Sequence, residues 1–240
     1  MKDIILAEGF AGIEKIKVLG KGSSNGIDLK YFNSKKQENC EREILLEKLR
    51  IPENDLIFIF IGRLVSEKGI NELVAAFDEL QQTFKDISLL LVGPFEEELD
   101  PLTPTTLQTI NEHTKIFFTG YQPDVRPYLE ISHILTFPSY REGFPNVVMQ
   151  AGAMGLPSIV SNINGCNEII ETGKNGIIIP VKDKNALFES MKTLIKNPSL
   201  RLELASKARA EIRENYDREQ FWLLLKEEYE GLIKELNLHS

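Results

Sequence analysis

Leu56-Ile57-Phe58-Ile59-Phe60-Ile61-Gly62-Arg63-Leu64-Val65-Ser66-Glu67-Lys68-Gly69 is the stretch on which the reading of the fold turns. Six apolar residues in a row, with no polar alternation, predict a strand buried on both faces. A glycine ends it, and a helical pattern follows over about residues 69–84. The same unit recurs, with apolar runs at 88–92, 115–119, 134–137, 157–160 and 176–179 and helix-period segments between most of them. The expected fold is α/β, a Rossmann-like parallel sheet flanked by helices and carrying a helical C-terminal tail.

Ligands of such sheets sit beyond the carboxyl ends of the strands. The residues there are Gly62, Gly93-Pro94, Gly120 and Pro138-Ser139. Each glycine equally suits an ordinary tight turn. Beyond Pro180 the pattern is helical: Asp183 can cap a segment with Leu187, Met191, Leu194 and Ile195 on one face, and a second helix spans about 199–214. The last helix aligns Phe221, Leu225, Tyr229, Leu232 and Leu236 as a docking stripe, for the body of the fold or for a part outside the chain. Near the start, residues 15–19 read as a strand, 20–26 as a flexible polar loop and 40–49 as a short charged helix. The run Glu96-Glu97-Glu98-Leu99-Asp100 reads as a solvated acidic loop.

The chain has 240 residues, 42% apolar and 27% charged, ample for a sizeable core. A net charge of −8 and a pI near 5.1 disfavour nucleic acid as a partner, while leaving room for a local basic pocket. Cys40 and Cys166 stand far apart, which suits a reducing compartment, so the expected location is cytoplasmic. No apolar run approaches the roughly 20 residues that span a bilayer, and any membrane contact is expected to be peripheral, at the inner face.

Arg63 and Lys68 should hang over one strand-end crevice, which suits a diphosphate; the alternative is a pair of solvated charges or a salt bridge with Glu67. Glu142 and Gln150, eight positions apart, are expected about two turns apart on one face of a helix that starts at a glycine turn. Such a helix start can hold a phosphate or sugar hydroxyl, and Glu142 can alternatively act as its cap. His113, His133 and His239 have no spacing that builds a zinc site or a triad, and His133 is expected to satisfy its hydrogen bonds at a strand edge. No Asp-x-Asp pair occurs, so transfer chemistry would use protein cations in place of a metal.

Ser24-Asn25-Gly26-Ile27-Asp28 with Phe32, the 61–69 segment, Arg141-Glu142-Gly143-Phe144-Pro145-Asn146 through Gly155-Leu156-Pro157, and Glu168 in a loop centred on Gly165 together resemble the retaining glycosyltransferases of family 4. The likeness runs over about residues 15–195. It implies the second, nucleotide-sugar-binding domain of a two-domain GT-B enzyme, with residues 1–40 as connecting segment and remnant of the acceptor domain and 41–240 as the donor domain. It further implies that Arg63 and Lys68 grip the donor diphosphate and that Glu142 holds sugar hydroxyls. The backbone around Gly143, Phe144, Pro145 and Asn146 would face the diphosphate or sugar. Gly62 would line the same crevice, and the base, uracil by the resemblance, would sit near Gly93 and the Gly120-Tyr121-Gln122 turn. Gln150 stands where the family has a second glutamate for the ribose; its amide can still pair with a hydroxyl, more weakly than a carboxylate. The implied donor is a UDP-sugar, bound without metal or other cofactor, and the implied acceptor a glycan or lipid-linked glycan of surface polysaccharide synthesis, held by the domain outside this chain. Isolated transfer activity should then be low. Two other readings remain open, a non-catalytic nucleotide-binding module and a GT-B nucleotide-sugar epimerase.

Overall fold

The computed structural model describes residues 2–23, 25–33, 39–96 and 98–238. Their elements are, in chain order, α1 (Lys2–Ala7), α2 (Asn39–Leu49), β1 (Leu56–Ile61), α3 (Ile70–Gln81), β2 (Ile87–Val92), α4 (Pro104–Glu112), β3 (Ile116–Phe118), α5 (Arg126–Ile131), β4 (Ile134–Phe137), α6 (Asn146–Ala153), β5 (Ser158–Ser161), α7 (Cys166–Ile169), β6 (Gly176–Ile179), α8 (Lys184–Lys196), α9 (Pro198–Tyr216) and α10 (Arg218–Leu238). The six strands form one parallel sheet in the order β3-β2-β1-β4-β5-β6. That is the expected α/β architecture.

The continuous apolar runs are explained by their position. Ile57, Phe58, Ile59 and Phe60 are fully buried, because β1 lies mid-sheet with helices on both faces. The chain winds outward from β1 through β2 to β3, then returns to lay β4 on the other side of β1. At such a reversal the loops leave the two strands in opposite directions and a crevice opens beyond their carboxyl ends. The pairing sharpens it: β1 matches β2 over six residues, whereas its register with β4 comprises Phe58↔Ile134 and Ile59↔Leu135. Phe60 and Phe137 stack below the opening, ring centroids 5.7 Å apart.

The opposite end of the sheet is tied by polar groups. Buried Asp55 accepts from Ser88 Oγ (2.5 Å) and Lys115 Nζ (2.6 Å), joining the starts of β1, β2 and β3. His133 pins β4 to β1: its N–H donates to Ile57 O, and its Nδ1 accepts from Ile57 N–H at 3.0 Å. Asp183 caps α8 through the Ala186 N–H, as its place in the sequence predicts.

Three expectations are corrected. Residues 15–19 form no strand; a 3₁₀ turn covers Ile13–Lys15, and although Ile16 is locally extended, no neighbouring strand accepts its backbone. The stripe on α10 does not dock along its length. Phe221 and Leu225 are half-buried, but Tyr229, Leu232 and Leu236 face solvent. The acidic run is not merely solvated, as described below. No helix among the described residues is long and apolar enough to cross a membrane. The early segment is strapped to the C-terminal helices: Ile27 bonds Tyr216 and Arg218 through its backbone, and the Arg209 guanidinium donates to the carbonyls of Leu29, Phe32 and Ala153.

Burial, helped by the charges of Arg42 and Arg201, lowers the His133 pKa to about 4. Above pH 6.5 both folded and unfolded chains hold a neutral ring. Between 6.5 and 4 the unfolded chain takes up a proton that the folded one refuses, so stability falls with pH, by roughly 3 kcal/mol in all. Urea unfolding midpoints measured across this range should decline for the natural chain and decline less for His133→Asn, which keeps an acceptor for Ile57 but cannot titrate.

Candidate functional site

Three loops meet at the carboxyl edge of β1 and β4. The first leaves β1 through Gly62 and Arg63, makes a 3₁₀ turn at Ser66–Lys68 and enters α3 at Gly69, whose φ of 71° and ψ of 24° are left-handed. A Cβ on Gly69 would lie 2.2 Å from the Pro138 carbonyl oxygen, so only glycine lets this turn touch the end of β4. The second loop, Pro138 to Pro145, is held to the first by the Tyr140 N–H bond to Glu67 O at 2.8 Å. Tyr140 also donates its hydroxyl to Glu72 on α3 (2.8 Å), and burial raises its pKa. The third loop brings Gly165 against the other two. A Cβ there would come within 2.7 Å of Gly143 O and of Pro145 Cδ.

The centre of the site is the ion pair between Lys68 Nζ and Glu142 Oε1 at 2.5 Å, its side chains 15% and 17% exposed. Ser139 Oγ lies 3.1 Å from the same carboxylate oxygen. Glu142 Oε2 carries no hydrogen bond among the described residues and is the oxygen open to a hydroxyl. Beside it Arg63 is half exposed and held by two carboxylates, Glu96 and, at 3.3 Å, Glu67. The hydrogen bond that Arg63 donates to Glu96 is the main cause of the raised Arg63 pKa. The salt-bridge alternative drawn for these cations is present, Arg63 bridging to Glu67, while Lys68 on the same loop pairs with Glu142.

The expected placement of Glu142 and Gln150 on one helix face is wrong. α6 starts at Asn146, and Glu142 lies four residues before it. Pro145 sits in the extended region (φ −77°, ψ 107°), and the residue ahead of a proline is kept out of the helical region, so the helix cannot begin earlier. Glu142 does not cap the helix either, its carboxylate being committed to Lys68. The N–H groups of Asn146 and Val147 have no backbone acceptor among the described residues and leave an anion-favouring helix start beside Gly143 and Phe144. Gln150, half-buried on α6, has no side-chain partner among the described residues.

The other glycines serve the backbone. Gly62 N–H donates to Val92 O and Gly93 N–H to Gly120 O, both at 2.9 Å, so the three turns lie side by side. The Gly93 amide is thus already spent, while Tyr121 beyond Gly120 is exposed. Cys166 is buried at the start of α7; burial, with the Glu142 charge, pushes its thiol up to about 12, which leaves it inert.

Sequence reasoning missed the work of the acidic run. Glu96 reaches Arg63, Asp100 Oδ2 accepts from Glu67 N–H at 2.6 Å, and Ser66 N–H donates to Asp100 O. Glu98 is solvated as expected, and Glu97 lies outside the described residues. Glu67 also holds Arg141 at 2.9 Å. Nothing local signals these contacts, because the partners stand 33 positions or more from the run's residues or from each other; Ser139 was signalled only by following a strand.

A parallel sheet with cations and an open helix start at its reversal point is a Rossmann-like architecture, whose ligands sit at that carboxyl edge. The family model for glycosyl transferases group 1 matches residues 41–211, and the chain belongs to that family. It is 28% identical over 236 residues to the capsular polysaccharide biosynthesis glycosyltransferase CapM of Staphylococcus aureus, covering 98% of this chain and 60% of CapM. The fold matches HepE of Anabaena, crystallised with UDP and glucose, with a TM-score of 0.83 at 20% identity over 96% of this chain and 60% of HepE. It also matches the C-terminal domain of LpcC, a group 1 glycosyl transferase of Francisella tularensis, with a TM-score of 0.70 at 20% identity, covering 80% of this chain and 99% of that domain. The chain thus spans 60% of CapM and of HepE, and its sheet is that of the C-terminal half of a GT-B fold.

Gly93→Ala should cost at least about 2 kcal/mol, since its Cβ would lie 1.9 Å from Gly62 O at a φ of 141°. Gly120→Ala, where the added atom meets nothing within 4 Å, should cost only the roughly 1–2 kcal/mol of a left-handed residue. Urea melts of the two variants check the order.

Proposed function

We propose that the chain is the nucleotide-sugar-binding half of a retaining glycosyltransferase of family 4, taking a UDP-sugar for surface polysaccharide synthesis. The observation that carries this reading is the Lys68–Glu142 pair at the reversal point of the sheet, with Arg63 alongside and the start of α6 facing it. In such a transfer the bond between the sugar's anomeric carbon and the diphosphate breaks and its electron pair leaves on the diphosphate oxygen. Arg63 and Lys68 are the cations available to neutralise that charge, without a metal. Glu142, fixed through Oε1, offers Oε2 to a sugar hydroxyl, and Gln150 offers its amide to the ribose. Tyr121 and the turns at Gly93 and Gly120 would border the base. The UDP in HepE and the capsular polysaccharide role in the name of CapM support the donor and the pathway class. A glycan or lipid-linked acceptor would be held by the part of the enzyme outside this chain, with at most a peripheral membrane contact.

Calorimetric titration should give binding of UDP in preference to GDP or ADP, equal with magnesium and with EDTA. Arg63→Ala and Lys68→Ala should each weaken it about 10- to 100-fold, the effect of losing one charged hydrogen bond of roughly 1.5–3 kcal/mol. Unchanged binding in both variants would refute the diphosphate site. Gln150→Glu should tighten UDP but leave inorganic pyrophosphate unaffected, because only the nucleotide carries a ribose.

A further inference from the structure

We propose that Glu96 is a stand-in anion on Arg63, displaced by the diphosphate of the donor, so that the acidic loop after β2 sets the affinity of the site. The inference rests on the donor-binding reading above and concerns its regulation.

Two carboxylates share the Arg63 guanidinium, and they are held differently. Glu67 is fixed on every side: Oε1 faces Arg63, Oε2 holds Arg141, its N–H goes to Asp100 and its carbonyl accepts from Tyr140. Glu96 has Arg63 as its one side-chain partner among the described residues. Its backbone is nonetheless anchored, since Leu64 N–H donates to Pro94 O at 2.8 Å and the Phe95 ring packs on Phe118 with centroids 4.5 Å apart. A rotation of the Glu96 side chain therefore frees Arg63 Nη1, leaving Nη2 on Glu67, without moving the loop.

The charges paired around Arg63 and Lys68 favour such a rotation. Arg63, Lys68 and Arg141 face Glu67, Glu96, Asp100 and Glu142, three cations against four carboxylates. A diphosphate entering this set meets net repulsion, and its oxygens compete with two carboxylates for one planar guanidinium. Of the two, the carboxylate with no other bond is the one that leaves. Donor binding is then an exchange of one anion for another, which favours a ligand of high charge over a monophosphate.

The test is titration of the full chain with UDP and with inorganic pyrophosphate, comparing the natural protein with Glu96→Gln, Glu98→Gln, Arg63→Ala and the Arg63→Ala/Glu96→Gln double variant. Glu96→Gln should tighten both ligands by roughly two- to five-fold, the effect of removing one exposed competing pair. The gain should vanish on the Arg63→Ala background. Glu98→Gln removes the same charge from the same loop, where Glu98 is exposed without a partner among the described residues, and should change little. If the natural chain binds UDP through Arg63 but Glu96→Gln binds no tighter, Glu96 orients Arg63 and the exchange is refuted while the donor site stands. An equal gain from Glu98→Gln also refutes it, leaving only bulk charge. If no form binds UDP or pyrophosphate, the donor reading falls and the exchange with it.

Discussion

The pairing of β4 with β1 is the constraint from which the site follows. Because β1 is matched to β2 along its whole length and to β4 only over Phe58↔Ile134 and Ile59↔Leu135, the two strands part at their carboxyl ends. The gap is floored by Phe60 and Phe137 and roofed by the loops that leave each strand. Those loops must then be brought together, and the absence of a side chain at Gly69 allows it: the turn before α3 presses on the Pro138 carbonyl, which sets Lys68 within 2.5 Å of Glu142 although 74 positions separate them. His133, at the other end of β4, fixes the strand's height against β1 through paired bonds to Ile57. Packing below and glycine above thus decide where the charges stand.

Much of the fold was legible because its signal is local. Uninterrupted apolar runs have one physical explanation, burial on both faces, and residues 56–61, 134–137 and 176–179 became strands with those limits. The candidate cations were legible for a related reason: a residue that follows a buried strand must emerge at its end. What depends on distant partners was not legible. Residues 15–19 have strand-like chemistry and no strand to pair with. The eight-residue interval from Glu142 to Gln150 resembles helical spacing until Pro145 is allowed its own geometry, after which the carboxylate belongs to the loop and to Lys68. The acidic run looks solvated in sequence because an ion pair to Arg63 leaves no mark on the residues beside Glu96.

The two cations differ in a way that assigns them different parts. Lys68 and Glu142 are largely buried and share a short contact, with Ser139 at the same oxygen, so separating them would strand a charge in a poorly solvated place. On the donor-binding proposal that pair is a fixed piece of the wall, in place before any ligand arrives, as electrostatic stabilisation of a developing charge requires. Arg63 is half exposed, and its pairs with Glu67 and Glu96 are of the surface kind, worth about 1 kcal/mol or less each. Such contacts exchange readily for a stronger anion. On the donor-binding proposal, a chain with net charge −8 would hold an anionic ligand by combining one rigid pair, one exchangeable cation and the open start of α6, without a basic surface of any extent.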